Sequence, residues 1–329
     1  MKTALRWIAG LMVGSALLAL VMFLATQGDY RVAPLVTDDA TLSSETLAGT
    51  RLHMRMVRGP EHAPTIIVLH GGPGGDFRSL QALDALADRY HVVFYDQRGA
   101  GLSERVAANR LTLSGYLEEL EAVIEFGSPE QPSILIGHSW GAMLATAYLG
   151  RNPDAVRGAV LIEPGYLDAD GRDAWEVEAK RYMSGPRYIR QAIATGFRAQ
   201  HVSGPDAAAP EDYLVGQMVK AFTNHPDNPY HCGSGYTAPD WRFGALASRT
   251  WRNALPTEVD QLGTNAAKFE GPVLLLAGGC DAWLGPLQTQ HLSRFENADL
   301  VTIPGAGHDP VWDAPEATLA VIRAFLEAD

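Results

Sequence analysis

The chain has 329 residues, of which 47% are hydrophobic and 19% are charged, and its formal net charge is -12. This composition is that of an ordinary globular protein with enough apolar residues for a large core. An acidic chain without a basic stripe lacks the electrostatic footprint of a nucleic-acid-binding protein, so nucleic acid is not an expected partner.

Residues 1–30 differ from the rest of the chain, because Lys2 and Arg6 precede an uncharged, mostly apolar run over residues 7–26. A helix of that length is about 30 Å long, enough to cross a bilayer. The leading charges predict a membrane anchor that leaves the remainder of the chain outside the cytoplasm. A cleaved signal peptide is the alternative and would make the body secreted or periplasmic, although Phe23 is a poor residue for a cleavage site. A buried core helix is disfavoured at this length.

After a predicted linker over residues 33–44, apolar runs alternate with amphipathic segments along most of the chain. The predicted strands span residues 50–57, 65–69, 91–95, 133–136, 158–162, 272–276 and 299–303. The predicted helices span residues 76–88 (with Asp76 as its cap), 113–126, 142–149, 286–295 and 314–326.

Strands that alternate with helices predict an α/β fold with a mostly parallel sheet flanked by helices. The alternation stops over residues 166–268, which combine helical periodicity, many aromatic residues and a region rich in Gly, Pro and Asn. This segment is predicted to be an inserted, mainly helical lid. The catalytic core would then comprise residues 31–165 and 269–329, preceded by the membrane or signal segment at residues 1–30.

The strongest local signal is Gly-His-Ser-Trp-Gly at residues 137–141, between an apolar run and a helical segment. Strand, sharp turn and helix form the context in which Gly-x-Ser-x-Gly indicates a nucleophile elbow. Ser139 would lie on the strained turn, and glycines on both sides would keep side chains out of the crossing between strand and helix. Ser139 is therefore the predicted nucleophile.

A serine nucleophile needs a base, and the base needs an orienting acid. His308 follows the predicted strand that ends at Ile303, which makes it the predicted base. The competing histidines, His70 and His138, belong to the early glycine-rich loop and to the elbow itself.

Asp281 follows the predicted strand over residues 272–276 and is the expected acid. Glu163 ends the strand before it and is the alternative acid or a substrate-binding residue, since it lies at the same edge of the sheet. Asp309, next to His308, would point away from it.

The developing negative charge on a substrate carbonyl requires backbone N–H donors. Trp140 supplies one, as the residue after the nucleophile. The second is expected from the loop His-Gly-Gly-Pro-Gly at residues 70–74, where Gly72 is the predicted donor, since Pro73 has no N–H.

Three motifs together resemble the α/β-hydrolase superfamily, and within it the proline iminopeptidase branch of serine peptidases. They are His-Gly-Gly-Pro-Gly at residues 70–74, Asp-Gln-Arg-Gly-Ala-Gly-Leu-Ser at residues 96–103 and Gly-His-Ser-Trp-Gly at residues 137–141. The resemblance implies release of an amino-terminal residue, often proline, with lid carboxylates that hold the substrate ammonium. His138 departs from the branch, which usually has glycine there. The lid carboxylates are not assigned; the candidates are Glu176, Glu178, Glu211 and Asp212.

The working hypothesis is a serine hydrolase that acts on an ester or amide of a small molecule or short peptide through an acyl-enzyme. The alternatives are a carboxylesterase or lactonase, and a non-catalytic binding protein on a hydrolase fold. Neither a cofactor nor a metal is implied, and the oligomeric state is left open. Cys232 and Cys280 either pair, as an exported body would permit, or remain separate thiols.

Overall fold

The apolar runs of the sequence form one sheet in the computed structural model, which describes residues 2–233 and 235–328. The strands are β1 Ser44–Leu47, β2 Thr50–Val57, β3 Thr65–Leu69, β4 His91–Tyr95, β5 Ser133–His138, β6 Val156–Ile162, β7 Val273–Gly278 and β8 Ala298–Ile303. Their spatial order is β1-β2-β4-β3-β5-β6-β7-β8. All neighbours from β4 to β8 are parallel, whereas β1 and β2 are antiparallel additions at one edge. The predicted fold class is confirmed.

The first helix precedes the strands, and the others connect or follow them on both faces of the sheet. They are α1 Lys2–Ala25, α2 Leu113–Gly127, α3 Trp140–Arg151, α4 Ala169–Tyr182, α5 Gly185–Ala199, α6 Ala209–Thr223, α7 Ala245–Arg252, α8 Pro256–Val259, α9 Gly285–Leu292, α10 Pro310–Asp313 and α11 Pro315–Glu327. The helix predicted over residues 76–88 is instead a 3₁₀ helix, Phe77–Asp88, with Asp76 as its cap. Its buried residues are spaced by three (Phe77, Leu80, Leu83 and Leu86), which suits three residues per turn better than 3.6.

The central strands are apolar throughout because their side chains pack into two core layers, one on each face of the sheet. In β5, Leu135 packs in the layer that contains α2 and α3, whereas Ile134 and Ile136 pack in the opposite layer. Side chains alternate along a strand, so a strand covered on both faces needs apolar residues at every position. This explains the continuous runs in the sequence.

The predicted linker over residues 33–44 is packed rather than extended away from the body. Leu35 and Val36 are buried, and the Val36 N–H donates to the Leu102 carbonyl at 2.9 Å. The strand β1, at Ser44–Leu47, was not predicted, because Ser-Glu-Thr-Leu carries too few apolar residues to signal a strand.

The helix α1 contains one stretch, Arg6–Ala25, long and apolar enough to cross a membrane, and none of it is buried in the protein. Its end contacts the lid, where the ring of Phe23 lies 4.2 Å from that of His201 between centroids. A core helix would bury this surface, so the prediction of a membrane or signal segment stands unaltered.

A buried ion cluster joins the lid to the core. The Asp212 carboxylate in α6 accepts from Arg242 Nε at 2.8 Å and from Arg105 Nε, on the core, at 3.0 Å. Arg242 also pairs with Asp206. The side chains of Arg105, Asp212 and Arg242 are all largely buried, so their opposite charges must compensate one another inside the protein.

Asp212→Ala is therefore expected to lower the free energy of unfolding by about 3–5 kcal/mol, because it removes the carboxylate that two buried guanidinium groups share, and only Arg242 keeps another, that of Asp206. The adjacent Glu211 forms an exposed pair with Arg249, so Glu211→Ala should cost less than about 1 kcal/mol. Urea denaturation in one detergent, followed by tryptophan fluorescence, measures both. Equal losses in the two variants would contradict this interpretation of the cluster.

Candidate active site

Ser139 lies on a strained turn between β5 and α3. Its backbone has φ 51° and ψ -115°, a conformation that L-residues rarely adopt. A Cβ at Gly137 would lie 2.5 Å from the Gly141 carbonyl oxygen, and one at Gly141 would lie 2.2 Å from that of Leu69. Both glycines are thus required by close backbone contacts, and the half-buried Ser139 is held at the carboxyl edge of the sheet.

His308 and Asp281 lie together at this edge, in the loops after β8 and β7. His308 Nδ1 and Asp281 Oδ2 are 3.6 Å apart, slightly longer than a hydrogen bond. Both atoms are buried, and neither has another hydrogen-bond partner among the described residues. The other carboxylate oxygen of Asp281 accepts from the N–H groups of Trp283 and Leu284 at 3.0 and 2.8 Å. The two atoms thus lie side by side, just beyond hydrogen-bond distance.

Glu163 is the third member of this cluster. One carboxylate oxygen of Glu163, one of Asp281 and one ring nitrogen of His308 all lie within 4.8 Å of one another. Burial, and then the charge of Asp281, raise the pKa of Glu163 well above its usual value. The buried cluster therefore favours the protonated form of Glu163.

Among the described residues, these three side chains are also the group whose ligand atoms lie close enough together to bind a metal ion. Glu163 already accepts from the Gly278 N–H, and Asp281 Oδ1 is occupied by two backbone donors. The environment that favours a proton on Glu163 disfavours a fully ionised ligand set. The absence of a metal remains a prediction.

The early glycine-rich loop lies directly against the elbow. A Cβ at Gly71 would be 3.1 Å from Ser139 Cβ. Gly72 has φ 49°, and its carbonyl accepts from the Gly75 N–H at 2.8 Å, which closes the turn. Trp140 begins α3, so its N–H has no carbonyl partner in the preceding turn of the helix. The two predicted oxyanion donors therefore lie close to the nucleophile, Trp140 at the start of α3 and Gly72 in the loop after β3.

Gln97 joins these two loops, a role that was not predicted. Its side-chain N–H donates to the His70 carbonyl at 3.1 Å, and its side-chain carbonyl accepts from the Trp140 indole at 2.8 Å. The Gln97 backbone N–H donates to His70 Nε2 at 2.9 Å. His70 is thus an acceptor in a buried network, and burial lowers its pKa.

His138, the residue that departs from the resembled branch, supports the His308 loop. Its Nε2 donates to the His308 carbonyl at 2.7 Å, and its Nδ1 lies 3.5 Å from Asp309 Oδ1. Burial lowers the pKa of His138. Glycine at this position could make neither contact, so the departure has a structural purpose.

The lid supplies a stacking partner for His308. The Tyr230 ring lies 4.1 Å from the imidazole at an interplanar angle of 14°, and the Tyr230 carbonyl accepts from the His308 N–H at 3.2 Å. Cys232 forms a disulfide with Cys280, next to Asp281, with Cα atoms 5.3 Å apart. The lid segment is therefore tied to the loop of the candidate acid. The sequence left this pairing open, and Tyr230 had no distinguishing signal among the lid aromatics.

The four candidate lid carboxylates have different environments. Asp212 is buried between two arginines, Glu211 pairs with Arg249 at the surface, and Glu178 accepts from residues of its own helix. Glu176 is half-buried near Tyr166, in the segment that follows Glu163. Burial raises the pKa of Tyr166 to about 12, and the charge of Glu176 adds to that rise.

Comparison with known proteins agrees with the observed fold, since residues 66–321 match the alpha/beta hydrolase family. The chain belongs to that family. Proline iminopeptidase of Heyndrickxia coagulans is 29% identical over 273 residues, which cover 80% of this chain and 90% of that protein. The enzyme of the same name from Saccharolobus solfataricus is 32% identical over 302 residues, 85% of this chain and 90% of that protein.

A solved structure, the proline iminopeptidase-related protein of Thermus thermophilus, has the same fold. It matches 87% of this α/β hydrolase and 97% of its own chain with a TM-score of 0.60 at 24% identity. The relatives confirm that the chain is a hydrolase of the proline iminopeptidase-like branch.

The Cys232–Cys280 disulfide should stabilise the protein, since it closes a segment of 48 residues that spans lid and core. Loop entropy predicts that Cys232→Ala with Cys280→Ala lowers the free energy of unfolding by about 4 kcal/mol. Denaturant unfolding of the double variant and of the wild type, each with and without dithiothreitol, measures the effect. Reductant should destabilise the wild type alone; an unaffected wild type would contradict the prediction.

Proposed function

We propose that this α/β hydrolase is a serine hydrolase that cleaves an ester or amide through an acyl-enzyme. The observation that carries the proposal is the strained Ser139 elbow beside the buried His308–Asp281 pair. The ring centroid of His308 lies 4.9 Å from that of His138, the residue immediately before Ser139. The elbow and the loops after β7 and β8 thus meet at one edge of the sheet, which supports the proposal.

In the proposed reaction His308 Nε2 takes the proton of the Ser139 hydroxyl, which attacks the substrate carbonyl. The N–H groups of Gly72 and Trp140 stabilise the negative charge on the carbonyl oxygen. His308 then gives its proton to the leaving amine or alcohol. A water, deprotonated by the same imidazole, releases the acyl group from Ser139.

Asp281 is assigned as the acid that orients His308 and compensates its positive charge. Its Oδ2 faces His308 Nδ1, whereas Glu163 is favoured in its protonated form. Glu163 would act as a neutral neighbour that hydrogen-bonds the Gly278 backbone. This division of roles follows from the cost of two ionised carboxylates in one buried site.

We propose a substrate with a free amino terminus, as the names of the proline iminopeptidase relatives suggest. Glu176 is the lid carboxylate best suited to hold the ammonium, because the other three candidates are engaged by protein groups. Because these three carboxylates already contact protein groups, a second candidate function is a carboxylesterase or lactonase, which needs no site for an ammonium.

The location we propose is a membrane anchor, α1, with an extracytoplasmic body; a cleaved segment would make the body secreted or periplasmic. The disulfide supports an oxidising compartment. The body would comprise a core of residues 31–165 and 269–329 with the lid at residues 166–268.

Turnover by the full chain in detergent should decide the substrate class. We expect hydrolysis of proline or alanine p-nitroanilide and loss of that activity in Ser139→Ala. In Glu176→Gln we expect a raised KM with little change in kcat.

Hydrolysis of p-nitrophenyl acetate and butyrate by a protein that leaves the anilides intact would instead establish the esterase. Fluorophosphonate labelling that persists in Ser139→Ala would contradict the assigned nucleophile, and a folded protein inert on the whole panel would favour a binding role.

Substitutions of Asp281 and Glu163 should have different effects on kcat. Asp281→Asn is expected to lower kcat about 10³–10⁴-fold, because the amide neither fixes the imidazole nor compensates its charge. Glu163→Gln mimics the protonated acid and should lower kcat less than about tenfold. Steady-state kinetics of both variants, with circular dichroism as the folding control, measure this difference. The reverse order would assign the acid to Glu163.

A further inference from the structure

The lid helix α5 carries charge unlike the rest of the chain. From Ala179 to Pro205 there is no acidic residue, although the chain as a whole has a net charge of -12. This segment contains five basic residues, Lys180, Arg181, Arg187, Arg190 and Arg198. Three of them, Arg187, Arg190 and Arg198, lie on α5 itself, whereas Lys180 and Arg181 lie in the last turn of α4. A basic helix in an acidic protein is a local feature that needs a local explanation.

The same helix exposes large apolar side chains. Ile189 is 56% exposed and Ile193 is 51% exposed. They are spaced by four residues, so they lie on one face, which continues one turn later to the half-buried Phe197. Exposed isoleucines beside arginines are the composition of a helix that lies in a membrane interface.

This face leads directly to the end of α1. His201, one further turn along, donates from Nε2 to the Phe23 carbonyl at 2.8 Å. Tyr30, just after α1, forms a β-bridge with Val202, and its carbonyl accepts from the Ser203 N–H at 3.3 Å. A bilayer that holds Arg6–Ala25 would therefore have its outer surface beside the carboxyl end of α5.

We propose that α5 docks on the anionic surface of the membrane that holds α1, with Ile189 and Ile193 at the acyl boundary and Arg187 and Arg190 on lipid headgroups. The inference rests on the proposed membrane span but is independent of the serine chemistry. Docking would hold the lid against the bilayer and place the active site within reach of amphiphilic substrates.

The test uses the full chain in nanodiscs, with Ile193→Cys labelled by an environment-sensitive fluorophore. Phe126→Cys is the control, because Phe126 is 42% exposed and precedes Gly127, whose carbonyl accepts from Thr65 at the amino end of β3, the end opposite the Ser139 elbow. Lipids with a nitroxide on the acyl chain, in phosphatidylcholine with or without phosphatidylglycerol, report contact by quenching. We expect quenching at position 193 in the anionic nanodiscs and none at position 126.

Arg187→Gln with Arg190→Gln should lower the ratio of docked to free helix about 25-fold, since each cation near an anionic surface contributes about fivefold. Absence of quenching at position 193 in protein that still co-floats with lipid would overturn docking alone. A blue-shifted but unquenched label would assign the face to a second copy of the chain and also overturn it. Protein that does not co-float would overturn the membrane span as well, whereas fluorophosphonate labelling of Ser139 tests the chemistry separately.

Discussion

The crossing of β5, α3 and the loop after β3 is the constraint on which the rest of the site depends. The backbone of α3 approaches β3 so closely that only glycine fits at position 141, and only glycine fits at position 137 opposite it. This proximity forces Ser139 into its strained conformation and brings Gly71 against its side chain. The local strain persists because two fully buried core layers fix the strands and α3 around it.

Burial and charge give the groups around Ser139 different environments. Two carboxylates and one imidazole share a buried space in which two negative charges would be costly. Backbone N–H groups stabilise Asp281, while burial and the neighbouring charge favour a proton on Glu163. His70 and His138 are held in structural networks, whereas His308 lies beside Asp281.

The segment between β6 and β7, which the sequence predicts to be a lid, directly contacts the candidate site. Tyr230 stacks on His308, the disulfide joins its segment to the Asp281 loop, and Phe243 lies 3.7 Å from where a Cβ of Gly72 would be. At its other end, the lid contacts the apolar amino-terminal helix through His201. One inserted segment thus connects the candidate catalytic groups with the surface that we propose faces lipid.

The sequence by itself determined the α/β fold, the elbow and the loops that hold His308 and Asp281. These features are local: continuous apolar strands, a glycine pair around Ser139 and polar residues directly after strands. It did not determine the 3₁₀ form of Phe77–Asp88, the pairing of Cys232 with Cys280 or the tie that Gln97 makes between two loops. Those depend on which distant segments meet, and so does the raised pKa of Glu163. Only tertiary structure decided them, because burial and the distance between charges are properties of the folded chain, not of neighbouring residues.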